Sequence, residues 1–312
     1  MPVGPGPAEV DRLRDALASF DHYVAEPAVA VLLDGDPAPR DLPSAVGPLS
    51  RTTLEPVHTP PPAKRTTPRR GKGICPAVLA GLKHIAQSHL EVDFVLKLDT
   101  DALVIGPFAG RVRKYFLEHP GIGLIGAHDR TPAGEKRPLA EGAAAVRQLL
   151  ATPLDVLHPI VWLRQRLNPD LRLIRGHIAA ARGNGYTFGE HCQGGGYALS
   201  HEALLRLRDM HFLARPEAWH AADCPEDVMT GMYVRATGLR LAGQAAPGEV
   251  FGVRKRGLPY PPAELADKKY AVIHSVKNDE RTPEADVRVF FRQKRQDELA
   301  EARKHAEEVD VD

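Results

Sequence analysis

Apolar and polar positions along this chain repeat with two different periods, and the switches between them outline alternating helices and strands. From Ala8 to Tyr23 the apolar residues Val10, Leu13, Leu17 and Phe20 recur at steps of three and four, which predicts a helix with one buried face. Ala28-Val-Ala-Val-Leu-Leu-Asp34 follows as an unbroken apolar run closed by Gly35, the pattern of a buried strand. A strand ordinarily precedes the first helix of a nucleotide-binding α/β domain, and only Pro2 and Val3 occupy that place. The expectation is a vestigial strand, or a start set too late in the chain. Pro37 to Arg70 is rich in proline and basic residues and predicts loops able to fold over a ligand, apart from a short strand around Leu54 to Val57. Val78, Leu82, Ile85 and Leu90 make the apolar face of a helix from Ile74 to Leu90 that feeds directly into the apolar run at Phe94, and a parallel βαβ arrangement follows.

Beyond it the patterns predict a helix over Gly110 to Glu118, a strand over Ile122 to Gly126 and several helices between Thr131 and Tyr186. From about Pro283 charges alternate at helical spacing, the mark of a solvated helix or a frayed tail. The fold class is therefore α/β, in one domain over residues 1–283, with a helical insertion at about 131–186 and a charged helical tail over 284–312.

Composition removes some partners from consideration. The 312 residues carry 41 Lys and Arg against 40 Asp and Glu, so no whole-molecule field draws in nucleic acid or an anionic membrane. Cys75, Cys192 and Cys224 are too few and too scattered for a disulfide framework or a Cys-x-x-Cys zinc site. No basic start precedes an apolar core at the N-terminus, and no run approaches the ~18 apolar residues of a membrane span. These readings predict a cytoplasmic protein. The stretch Leu154 to Leu167 sets Trp162 among apolar residues beside Arg164 and Arg166; it suits peripheral contact with a membrane or a lipid-linked acceptor, or simply a helix packed on the sheet with solvated arginines.

The chemistry-bearing residues begin where the strand Phe94-Val-Leu-Lys-Leu runs into Asp99-Thr-Asp101. Residues two apart on an extended chain face the same side, so Lys97, Asp99 and Asp101 share a face and the two carboxylates converge on one cation. Oxygen ligands of this kind suit Mg²⁺ or Mn²⁺, ions that keep positions open for a substrate's phosphates. The same pair also serves as a turn whose side chains accept backbone N–H bonds. It also begins the Asp-x-Asp-x-Thr/Val motif of haloacid-dehalogenase-type phosphohydrolases, in which Asp99 would be the nucleophile, but Leu103 stands where Thr or Val belongs.

Gln193-Gly-Gly-Gly-Tyr-Ala-Leu-Ser200 lets a ligand or another backbone approach closely at Gly194 and Gly195, or forms a bulge, and Ser200 is placed to cap a helix from His201. Pro225 opens another helix with Glu226 and Asp227 in its first turn, where carboxylates meet the positive end of the helix dipole. If that turn faces the metal pair, one of the two becomes a general base. His274 ends a short strand from Tyr270 and is either a surface group or the imidazole of an Asp/His site for Mn²⁺, with Lys277 toward phosphate.

The order of these pieces resembles glycosyltransferase family 31, which includes the β-1,3-galactosyltransferases and Fringe. The resemblance covers roughly Gly71 to Gly126 and Cys192 to Lys277, and rests on the ordered set rather than on any member. It implies a GT-A fold, with a central, mostly parallel mixed sheet flanked by helices, a UDP-sugar donor, Mn²⁺ dependence and inversion at the anomeric carbon. A saccharide, glycolipid or small molecule would be the acceptor. By the same resemblance Asp101 binds the metal, Asp99 supports the metal or the donor ribose, His274 is the further ligand and Asp227 is the catalytic base. Thr100 departs from the family, which commonly has an acidic residue there, and the insertion has no familiar counterpart. Asp34, at the carboxyl end of the early strand, is a candidate for the nucleotide or its ribose, or a turn residue before Gly35. A third reading is a sugar-nucleotide-binding protein without turnover.

Overall fold

The computed structural model describes residues 1–60, 74–151 and 168–309. Its first sheet is parallel and ordered β1-β2-β3, from Pro2–Val3, Ala28–Asp34 and Thr52–His58. Pro2 and Val3 thus form the strand expected ahead of the first helix, in register with Leu33 and Asp34. Helix α1 (Pro7–Tyr23) and helix α3 (Ile74–Ser88) cover opposite faces of this sheet. The alternation of β2 explains how: Val31 and Leu33 enter one core with Val78, Leu79 and Leu82, whereas Leu32 packs on the other side with Leu13 and Leu17. Each such fully buried leucine is worth about 1.5–3 kcal/mol of transfer free energy. The loop region predicted from Pro37 contains a short helix, α2 (Leu42–Val46), and its strand is longer than the Leu54 to Val57 core, because Thr52 to His58 pairs along the whole of β2.

A second sheet, ordered β4-β7-β6-β8, comprises Phe94–Leu98, Gly196–Ser200, Ile122–Gly126 and Arg240–Gly243. The expected βαβ step through α3 into β4 is not made. β4 pairs antiparallel with β7, not with β1 or β2. Every residue of β7 is buried, so this strand takes the interior place beside β4. An apolar cavity of about 400 Å³ separates β2 from β4, bordered by Ala28, Val31, Leu82, Phe94 and Leu96. The third sheet, β5-β10-β9, joins Leu103–Val104, Val272–His274 and Phe251–Val253. Parallel pairings outnumber antiparallel ones among the described strands, so the α/β fold is mixed and mostly parallel, although divided into three sheets.

Helix α4 (Ala109–Glu118) precedes β6, and the insertion supplies α5 (Ala140–Leu150) and α6 (Pro169–Gly183). Ile174, Ile178 and Ala181 of α6 lie in the main core with α7 (His201–Asp209) and α8 (Glu226–Ala236). The stretch Leu154 to Leu167 lies outside the described residues. Helix α9 (Pro262–Asp267) leads into β10, and the last helix, α10, runs from Glu284 to Val309. Its first half is not a solvated tail. Val287 and Phe291 are buried with Leu103, Ile105 and Ile273, and the buried Arg288 and Arg295 both donate to Asp15 on α1. Among the described residues no helix is long and apolar enough to cross a membrane.

Candidate active site

The two chain turns that leave β4 and β10 meet. Asp99 and Asp101 follow β4, His274 ends β10, and one ligand atom from each lies within 4.8 Å of the others. His274 Nε2 is 3.3 Å from Asp101 Oδ1 and 3.9 Å from Asp99 Oδ2. Its other nitrogen, Nδ1, is 2.8 Å from the carbonyl oxygen of Arg254 and donates to it, which turns Nε2 toward the carboxylates. Asp101 is held by three further contacts: Ser275 Oγ donates to Oδ2 at 2.6 Å, Lys277 Nζ stands 3.4 Å from the same oxygen, and the Val276 N–H donates to the main-chain carbonyl at 3.0 Å.

Electrostatics favour a cation here. Burial opposes the charge of Asp99, but Lys97 and His274 outweigh it and hold the carboxyl below its ordinary range. Burial likewise opposes ionisation of Asp101, and the His274 and Ser275 hydrogen bonds bring its pKa down. Burial alone would neutralise His274, yet Asp101 and Asp99 raise its pKa. Two carboxylates and one imidazole with its second nitrogen tied to a carbonyl are a donor set that fits Mn²⁺.

The glycine triplet joins this cluster to the start of α8. Gly195 has φ +97°, and a Cβ built there would stand 2.3 Å from His274 Cγ, so the imidazole lies directly on its backbone. The Asp99 N–H donates to the Gly195 carbonyl at 3.1 Å. One residue earlier, the Gly194 N–H donates to Asp227 Oδ2 at 2.8 Å. Pro225 serves as the N-cap rather than the first helical residue, which places Glu226 and Asp227 at the first two helical positions. Gln193 Nε2 and His191 Nε2 lie 3.4 and 3.6 Å from Asp227 Oδ2.

Glu226 and Asp227 have different surroundings. The Lys97 ammonium is 2.7 Å from Asp99 but 3.5 Å from Glu226, so its charge is committed to Asp99. The Glu226 side chain is 8 % exposed and accepts from Tyr197 Oη at 2.5 Å. Burial raises its pKa well above the ordinary glutamate range, and Lys97 only partly counters burial and the nearby charges of Asp227 and Asp99. Asp227 is the carboxylate set at the helix start against the glycine backbone.

Of the other residues singled out from sequence, Lys277 lies at the site and Asp34 stands apart. Asp34 is 2 % exposed and accepts from Arg40 Nε, Nη2 and N, closing the turn after β2. Three contributors were not anticipated. Ser275 was legible as a neighbour of His274, and His191 as a neighbour of Gln193. Arg137, in the insertion, carries no such signal. Its guanidinium is buried and donates to the carbonyls of Ala127, His128 and His191, to His191 Nε2 at 2.8 Å and to Gln193 Oε1 at 3.1 Å. His191 Nδ1 meets the Gly189 carbonyl at 2.6 Å, so the ring is a neutral bridge with Nε2 accepting, in keeping with a pKa lowered by burial.

No protein-family profile matches the chain, and no curated protein matches it. A solved structure described as the apo form of WbbM, a bifunctional glycosyltransferase, aligns with 90% of this chain at 14% sequence identity and a TM-score of 0.43. This chain spans 47% of that one.

Proposed function

We propose that the protein is a metal-dependent, inverting glycosyltransferase of the GT-A type, moving a hexose from a UDP-sugar to a hydroxyl of a saccharide, glycolipid or small-molecule acceptor. One observation carries the reading: the Asp99, Asp101 and His274 ligand atoms form one cluster, and two consecutive glycines connect it to Asp227. The ordered motifs resembling glycosyltransferase family 31 fall on these same residues.

In this reading Asp99, Asp101 and His274 hold Mn²⁺ or Mg²⁺. When bound, the ion supplies Lewis-acid neutralisation of charge on the departing diphosphate. Lys97 locks the Asp99 rotamer, and Lys277, exposed at the rim, meets a phosphate oxygen. The bare backbones of Gly194 and Gly195 let Asp227 and the His274 ring pack directly against them. Asp227 accepts the acceptor hydroxyl's proton as that oxygen bonds to the anomeric carbon from the face opposite the diphosphate. The bond from that carbon to the diphosphate oxygen breaks with its electron pair leaving on the UDP. A positioned base of this kind contributes about 10²–10⁴-fold. Glu226 backs Asp227 and Lys97 without reaching the acceptor. All three cysteines are free and buried, in keeping with a reducing compartment.

The test is thermal. UDP with Mn²⁺ raises the melting temperature of the wild-type protein, and Asp101→Ala abolishes the rise. An unchanged melting curve at millimolar UDP and Mn²⁺ overturns the proposal.

A further inference from the structure

We propose a second cation site, of the zinc type, formed by Glu55, His84 and His89. It lies on the face of the first sheet covered by α3, away from the carboxylates of the candidate active site. Along β3 alternate residues share a face, so Glu55 lies on the same side as Val57, which packs against the core that α3 helps to form. His84 is in the penultimate turn of α3, and His89 is the first residue beyond its end. Five positions apart on a continuing helix, the two rings would diverge by about 140°. The helix instead stops at Ser88, with the His89 N–H still donating to the Ile85 carbonyl at 2.8 Å, and the ring of His89 turns back toward the strand.

The outcome is convergence on one atom. His84 Nε2 is 2.7 Å and His89 Nε2 is 2.9 Å from the same oxygen, Glu55 Oε2. All three ligand atoms lie within 4.8 Å of one another, and all three side chains are partly exposed, so an ion has an entry path. At bond lengths of about 2.0–2.2 Å, tetrahedral zinc ligands stand roughly 3.3 Å apart, so each imidazole nitrogen would draw back only about 0.5 Å from Glu55 Oε2 to admit the ion. Glu91 Oε1 lies 4.0 Å from His89 Nδ1, beyond hydrogen-bond reach, and adds negative charge beside the ring.

Ligand chemistry separates this site from the other one. Two imidazoles and one carboxylate favour Zn²⁺, whereas the Asp99, Asp101, His274 set is richer in oxygen and suits Mn²⁺ or Mg²⁺. A bound ion clasps β3 to α3 across sequence separations of 29 and 34 residues. With three protein ligands among the described residues, a bound ion would keep a fourth position open to water, the arrangement of a His₂Glu zinc site.

The 312-residue chain, stripped of metal with a chelator and dialysed against Zn²⁺, tests the site by bound-metal analysis. His84→Gln and His89→Gln are each expected to take up one equivalent less than wild type and to lose the zinc-induced rise in melting temperature. Both residues are partly exposed, and circular dichroism checks that each variant is folded. With Co²⁺ in place of Zn²⁺, the visible absorption of a tetrahedral site is expected in wild type and in Asp101→Asn but not in the two histidine variants. Equal zinc uptake in wild type and both histidine variants, or cobalt bands that vanish with Asp101→Asn while surviving His84→Gln, would overturn the assignment.

Discussion

Replacing Gly195 by alanine separates a geometric account of the site from a merely compositional one. The residue has φ +97°, a conformation that costs an L-residue about 1–2 kcal/mol. The added methyl would also stand 2.3 Å from His274 Cγ. Carbon atoms settle at about 3.5–4.0 Å, so the ring must retreat by more than ~1 Å. The retreat stretches the 2.8 Å contact to the Arg254 carbonyl and turns Nε2 away from Asp101. Loss of such an orienting contact typically costs 10–100-fold in metal affinity. The expected result is a protein destabilised by about 2 kcal/mol, with Mn²⁺ affinity reduced about 10–100-fold by isothermal titration. Gly194→Ala is the internal control: its Cβ would stand 3.1 Å from Asp227 Oδ2, and it touches Asp227 rather than His274. It should disturb transfer more than metal binding. Wild-type Mn²⁺ affinity in Gly195→Ala, or the same loss in both variants, would refute the reasoning.

Three further outcomes follow from other parts of the structure. Asp227→Asn should retain the UDP-dependent melting shift while sugar transfer falls about 10²–10⁴-fold; normal transfer would remove Asp227 from the role of base. His177 accepts from Tyr233 Oη at 2.8 Å, which in turn accepts from Trp219 Nε1 at 2.7 Å, and burial lowers its pKa from 6.5 to about 4. The folded state therefore binds this proton less readily than the unfolded state. Stability is full above pH 6.5 and declines as pH falls toward 4, by up to about 3 kcal/mol, less what water contact with the ring screens. Urea unfolding across that range should show the decline, and His177→Gln should flatten it. Finally, Phe291→Ala should cost about 3–5 kcal/mol, whereas Leu299→Ala, at a residue 48 % exposed, should cost under about 0.5 kcal/mol. Equal effects in denaturant unfolding would show that both halves of α10 contribute alike.

Local pattern carried a good deal of this architecture. Ala28–Asp34 and Ile122–Gly126 form strands over the predicted spans, and Ser200 caps α7 by accepting from the Ala203 N–H. These features depend on neighbours in sequence. Pairing partners do not, and so β4 was expected in a parallel βαβ unit when its partner is the antiparallel β7, a strand about a hundred residues away. The strands Leu103–Val104 and Phe251–Val253 are too short to have a period of their own; they exist because β10 lies between them. In α10, Val287 and Phe291 were legible as an i, i+4 apolar pair, but the surrounding charges concealed them. What makes Arg288 and Arg295 buried residues is Asp15, more than 270 positions earlier. The site divides along the same line. Asp99, Asp101, Asp227 and His274 were conspicuous because chemistry limits which residue types serve, and the structure draws them together around the glycines. The strand-end rule that pointed to Asp34 took no account of Arg40, six residues on, which occupies the carboxylate.

Arg137 limits how freely the insertion can be exchanged. A chimera that swaps residues 131–186 for a plain connector would remove the guanidinium that donates to the carbonyls of Ala127, His128 and His191 and leave the His191 ring held at Nδ1 alone. The excursion is therefore not a detachable module. Any transplant must bring a guanidinium back to the same spot, or the loop that shoulders Asp227 loses its splint.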